Sequence, residues 1–140
     1  MLVVDDAIRE LLDKISAQMR RDYSEMLREL DLHVGQDNLL CKLWRDDGIT
    51  QMQLTEHLNC EPPTVTNMVK TLEKKGFVYR KKDSVDGRVS RVYLTEKGSA
   101  VREPIEQVWH KQQDKLLKGL TAENRVLLNE FLQQMEKNLR

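Results

Sequence analysis

The chain has 140 residues, the size of one ordinary domain, with 39% apolar and 33% charged residues. Its 23 bases and 23 acids cancel, which excludes a uniformly basic nucleic-acid-coating protein. Two cysteines, Cys41 and Cys60, exclude a disulfide framework; residues 1–6 read as neither signal peptide nor membrane anchor, and no later run is long enough to span a bilayer. A cytoplasmic protein with no membrane partner is expected. Aromatics make up 5%, so Leu, Val, Ile and Met must fill the core.

In chain order, the first predicted element is a long amphipathic helix. Ile8, Leu11, Leu12, Ile15, Met19, Tyr23, Met26, Leu27 and Leu30 recur at steps of three and four. Residues 31–35 break it. A second helix carries Leu39, Leu40, Leu43 and Trp44 and ends at Asp46-Asp47-Gly48. Thr50-Gln51-Met52-Gln53 fits a capping box, which opens a third helix with Met52, Leu54 and Leu58 apolar. Pro62 and Pro63 suit the first turn of a fourth helix, where a missing N–H costs little. That helix is expected to run to Lys75, with Gly76 as its left-handed stop.

From Phe77 the period changes to two. Residues 78–81 read as a strand, 83–87 as a turn and 88–94 as a returning strand, with Val92 and Leu94 on one face. Thr95 caps a further helix, which Pro104 kinks or divides, and Thr121 caps the last. Leu128, Phe131, Leu132, Met135 and Leu139 give that last helix an apolar stripe. The predicted order is four helices, a hairpin and two helices, with amphipathic arms at both ends. A second subunit is the economical cover for the arms.

The middle of the chain carries the chemistry. Residues 70–91 hold eight bases against three acids, a net +5 inside an otherwise acidic molecule. A short helix, a tight turn, a second helix and a basic hairpin follow one another. In a helix-turn-helix the second helix enters the major groove. Here Val65, Met68, Val69 and Leu72 are expected to face inward, leaving Pro63, Thr64, Thr66, Asn67, Lys70 and Lys74 outward. Asn pairs with adenine, Thr offers a hydroxyl or methyl, and Lys reaches guanine or phosphate. The hairpin adds Lys81, Lys82, Arg88 and Arg91. Its tip arginine suits the negative potential of a minor groove, with Asp86 placed to hold the guanidinium of Arg88.

Three separated pieces resemble the multiple-antibiotic-resistance regulator (MarR) family. They are Gln51-Met52-Gln53-Leu54-Thr55-Glu56-His57-Leu58, the run from Pro63 through Lys75-Gly76-Phe77-Val78-Tyr79-Arg80, and Asp86-Gly87-Arg88 followed by Val92-Tyr93-Leu94-Thr95-Glu96-Lys97-Gly98. The resemblance implies a mainly α fold with a small β-hairpin wing (α+β), a winged helix-turn-helix with helical dimerisation arms. The whole chain, 1–140, is then one domain. An N-terminal dimerisation helix covers 1–34, the DNA-binding lobe 35–98 and C-terminal dimerisation helices 99–140. The implied function is sequence-specific regulation of transcription by a homodimer on double-stranded DNA, most often repression relieved by a small-molecule effector. The family's wing commonly reads Asp-Arg-Arg; here Gly87 replaces the middle Arg.

The resemblance also implies an effector site between the arms and the DNA-binding lobe, for which Met19, Tyr23, His33, Trp44 and Trp109 are the candidate liners. Each reads more often as plain core. Competing readings are a redox- or zinc-responsive regulator of the same fold and a non-catalytic helical interaction module. Cys60 lies at a helix N-terminus, which favours a thiolate, whereas Cys41 reads as core. The sensing cysteine of oxidant-responsive relatives lies in the first helix, where this chain has none. His110 and Asp114 share a helix face, and His33 and Cys41 complete only a loose metal set. No cofactor or metal is expected. No phosphate loop, nucleophile elbow or metalloprotease motif is present, so an enzyme is not expected.

Overall fold

Local chemistry sets most element boundaries in the computed structural model, which describes residues 2–140. The elements are α1 (Leu2–Arg28), α2 (Gln36–Arg45), α3 (Gln51–Leu58), α4 (Pro62–Lys74), β1 (Val78–Lys82), β2 (Ser90–Leu94), α5 (Glu96–Ala100), α6 (Arg102–Leu116) and α7 (Ala122–Asn138). The Thr50 hydroxyl accepts the Gln53 amide at 3.1 Å, and the Gln53 side chain accepts the Thr50 amide at 3.0 Å. This reciprocal box opens α3, and Asn59 closes it in the left-handed region. Pro62 and Pro63 occupy the first turn of α4, and Gly76, at φ +84°, reverses the chain after it. Thr95 and Thr121 cap α5 and α7 through the amides of Gly98 and Asn124.

The chain divides into two compact units, Met1–Val108 and Trp109–Arg140, with the boundary inside α6. In the first unit Leu27, Leu39, Leu40, Leu43, Leu54, Val65, Val69, Leu72, Val92 and Ile105 are fully buried. β1 and β2 pair antiparallel with Val78 opposite Leu94 and Lys82 opposite Ser90. Residues 48–50 flank β2 as a third rung. The Gly48 amide donates to the Val92 carbonyl, the Val92 amide to Ile49, and Thr50 bridges Arg91. In the second unit α7 buries no side chain, and Val126, Leu127, Phe131 and Leu132 are exposed. Among the described residues no helix is long and apolar enough to cross a membrane.

The structure corrects several expectations. The returning strand begins at Ser90, not Arg88, because the Val89 amide bonds the Asp86 carbonyl at 3.0 Å and closes a turn over residues 86–89. Three helices follow the hairpin instead of two. The chain breaks at Val101 and restarts with Pro104 in the first turn of α6, where proline is tolerated. Met68 is only half-buried, and Met52 is 75% exposed on the outer face of α3. Cys41 is half-buried and Cys60 exposed.

Gly98 marks a close crossing in the first unit. The Trp44 indole donates to its carbonyl at 2.9 Å, and a Cβ here would collide with the Phe77 carbonyl oxygen. Because the obstacle is backbone, nothing flexible can yield. Gly98→Ala is expected to destabilise the fold by about 2–3 kcal/mol, seen as a lower urea midpoint at unchanged slope.

Candidate nucleic-acid interface

Helix α4 is held by its apolar stripe and, near its start, by a polar tether to α3. The Gln51 side-chain amide donates to the Thr66 hydroxyl at 2.8 Å, and that hydroxyl donates to the Pro62 carbonyl at 3.0 Å. Thr66 is therefore half-buried and its hydroxyl engaged within the protein, unlike its outward neighbours. Pro63, Thr64, Asn67, Lys70 and Lys74 are all exposed on the opposite face from Val65, Val69 and Leu72. Burial of one stripe thus aims the others outward.

The eight bases of residues 70–91 fall into two sets. Lys70, Lys74, Lys81 and Lys82 are exposed and bond no other described side chain. The other four have internal partners. Lys75 donates to the Asp31 carbonyl at 2.8 Å, and Arg80 pairs with Glu73 at 3.0 Å, joining β1 to α4. Arg91 bonds Asp83 at 2.7 Å and the Gly48 carbonyl at 2.9 Å. Arg88 pairs with Asp86 at 3.2 Å yet keeps 91% of its side chain exposed.

The wing tip is organised by two carboxylates. One oxygen of Asp83 accepts the amides of Val85 and Asp86 at 3.1 and 3.0 Å, and the other accepts Arg91. Asp86 accepts both the amide and the guanidinium of Arg88. The hydrogen bond from Arg91, followed by the Asp86 amide, holds the Asp83 carboxyl below its ordinary range. Arg88 does the same for Asp86, and Asp83 in turn raises Arg91. Gly87 needs no special backbone angle, and a Cβ there meets open space.

Asp83, Gly48 and Gln51 were not singled out by sequence reasoning. Asp83 lies two residues beyond Lys81, which pairs with Arg91, so the ion pair is a same-face diagonal readable only once the register is known.

The candidate effector liners do not share one set of partners. Tyr23 donates to Asp37 at 2.8 Å, and Asp37 also accepts the Gly35 amide at 3.0 Å. Burial, then the charge of Asp37, pushes the Tyr23 phenol well above its ordinary value, so it remains a neutral donor. Met19 is half-buried, and His33 is exposed. Trp44 bonds Gly98, and the Arg102 guanidinium lies over its ring at 5.8 Å. Trp109 belongs to the second unit. An open depression of about 510 Å³ is lined by Arg20, Arg21, Ser24, Glu25, Arg28 and Val34. Among the described residues no three His, Cys, Asp or Glu side chains gather as a metal site.

Comparison with known proteins gives a consistent result. The model of the MarR family matches residues 33–90, which span α2 to the start of β2. The uncharacterised HTH-type transcriptional regulator YybA of Bacillus subtilis is 27% identical over 112 residues, covering 80% of this chain and 75% of that protein. The crystal structure of the transcriptional regulator SlyA superposes with a TM-score of 0.84 at 29% identity, covering 96% of this chain and 94% of that one. A Staphylococcus aureus MepR–DNA complex superposes with a TM-score of 0.85 at 26% identity, covering 94% and 96%.

The wing carboxyls generate a pH prediction. Their folded values lie below the unfolded ones, so their contribution is full above the unfolded value and is lost as pH falls through the lowered folded value. Carboxyl resonances of Asp83 and Asp86, followed by NMR, are expected to titrate below the ordinary midpoint near about 4. Ordinary midpoints for both would contradict the wing geometry.

Proposed function

We propose that this chain, which belongs to the MarR family of transcription regulators, represses transcription as a homodimer on a pseudo-palindromic operator and leaves it when a small molecule binds. Its DNA-binding role follows from the family; the repressor, dimer and release steps are our reading. One observation carries it. A helix face of Pro63, Thr64, Asn67, Lys70 and Lys74 and a protruding wing with Arg88 at its tip stand on one scaffold. The first is suited to a major groove and the second to the adjacent minor groove. Lys81 and Lys82, exposed on β1, are assigned to phosphates. Thr66 is assigned to holding α4 through Gln51, with its methyl as the group left for a base.

The dimer is supported by what the single chain leaves uncovered. On α1, Ile8, Leu11, Leu12 and Ile15 are exposed along one stripe, and on α7 so are Val126, Leu127, Phe131 and Leu132. Apolar stripes of this length call for a partner, and a second copy supplies identical ones. We assign residues 1–34 and 99–140 to dimerisation and 35–98 to DNA binding. Two-fold symmetry then sets half-sites about one helical turn (~10 bp) apart. We assign the effector to the junction of α1 and α2 around Tyr23 and Asp37, where a half-buried neutral phenol and a buried carboxylate lie together. The reading includes no catalytic step, and its compartment is the cytoplasm.

Selection of bound duplexes from a random pool by the purified protein is expected to recover an inverted repeat. Asn67→Ala should relax one base position by about 1–3 kcal/mol, whereas Lys81→Ala or Lys82→Ala should weaken all sequences alike and flatten the salt dependence by about 0.9 per lost phosphate. Salt-sensitive binding without an enriched sequence would overturn the reading.

Gly87 tests the wing separately. Because its Cβ direction is open, Gly87→Arg is expected to fold normally and add a backbone contact. The salt slope should steepen by about 0.9 and affinity rise at low salt. An unchanged slope would place the wing away from DNA.

A further inference from the structure

Resting on that reading, we infer that Asp83 and Arg91 are positioning residues that carry the wing tip, and with it Arg88, at a fixed attitude to the reading helix. The bonds form an unbroken relay. The Gly48 carbonyl accepts from Arg91 at 2.9 Å, Arg91 donates to Asp83 at 2.7 Å, Asp83 accepts the Asp86 amide at 3.0 Å, and Asp86 accepts from Arg88 at 3.2 Å. Gly48 anchors one end at the corner between α2 and α3. Its φ is +82°, its amide bonds Val92 at 2.9 Å, and a Cβ would come within 2.6 Å of the Tyr93 ring. The other end is the most exposed charged group of the relay.

A second copy of the same idea is absent from β1, where Lys81 and Lys82 point into solvent with no described partner. The contrast separates two kinds of base in one hairpin. The Arg91 side chain is 37% exposed and Asp83 17%, against 91% for Arg88. A guanidinium donating to a carboxylate and a carbonyl keeps three of its five N–H groups, but the two it spends hold it against the wing and the α2–α3 corner. Its planar fork also makes the two bonds from separate nitrogens in fixed geometry, where an ammonium offers a single point. Without the relay the tip beyond Lys82 and Ser90 keeps only bonds within the turn, such as Asp83 to Val89 and Val89 to Asp86. Arg91 therefore acts on DNA through Arg88, not directly.

The test is a double-mutant cycle of DNA affinity on the full chain, using the operator duplex selected by the wild type. Asp83→Asn keeps an acceptor for the two turn amides but removes the charge pairing with Arg91. Arg91→Lys keeps the charge but removes the two-point bond. Each is expected to weaken binding by about tenfold, with the double variant no weaker than either, as for partners in one network. Added to Arg88→Ala, neither should weaken binding further. Base preferences read by α4 should stay unchanged, which certifies the fold in the same experiment. If Asp83→Asn does not fold, Arg91→Lys alone and with Arg88→Ala decides.

Tighter binding by Asp83→Asn, near-wild-type binding by Arg91→Lys, or additive losses with Arg88→Ala would overturn the inference and make Arg91 a direct contact. Any of these results leaves the regulator reading standing. Failure of the wild type to select any DNA overturns that reading and the inference together.

Discussion

Burial of Val65, Val69 and Leu72 is the constraint on which the rest of the interface depends. A helix turns about 100° per residue, so a shift of one position in that stripe would swing either Asn67 or Lys70 toward the core and carry apolar atoms outward. The stripe is short, only three fully buried side chains on a helix of 13 residues. The tether from Gln51 to Thr66 adds a directional bond to a non-directional contact. It joins the first turn of α3 to the first turns of α4. Helix register and helix crossing are thereby set by different forces.

Charge in the middle of the chain is sorted by geometry, not by amount. Three of the eight bases in residues 70–91, Lys75, Arg80 and Arg91, are spent on internal architecture, in capping a carbonyl, in joining β1 to α4 and in building the wing. The rest remain in water. Exposed pairs contribute little to folding, of the order of zero to 1 kcal/mol each. Their value lies in direction. A flexible turn with one arginine samples many positions, whereas a turn whose carboxylates bind its own amides samples few.

Most of the fold was legible in the sequence because it is written in strong local signals. The Thr50 box, the Pro62-Pro63 start, Gly76 and the caps at Thr95 and Thr121 all sit where periodicity alone would place helix ends. The outward face of α4 was legible for the same reason. The start of β2 was misjudged because a hydrogen bond within residues 86–89 outranks the alternation of Val89 and Arg91. Arg91 was grouped with the exposed bases, since composition cannot distinguish a paired guanidinium from a free one. Its partners, Asp83 and Gly48, come from eight and 43 positions away, and only the folded register brings them together. The aromatic candidates for an effector site were legible as residues but not as a cavity, because a cavity is a property of how elements pack.

The lysine at the end of α4 has a mechanical consequence. Lys75 donates to the Asp31 carbonyl at 2.8 Å and also lies 3.6 Å from its carboxylate, while Gly35 faces the Met68 sulfur. The corner that ends α1 is thus fastened through Asp31 to the end of α4. Fastened bodies turn together. In the proposed dimer, a tilt of each α1 by a given angle appears doubled between the two reading helices, because the two-fold axis reverses its sense in the partner. A half-site spacing set to a few ångströms would then respond to a displacement too small to disturb either core, and the arms would work as the long ends of a lever whose short ends lie in the grooves.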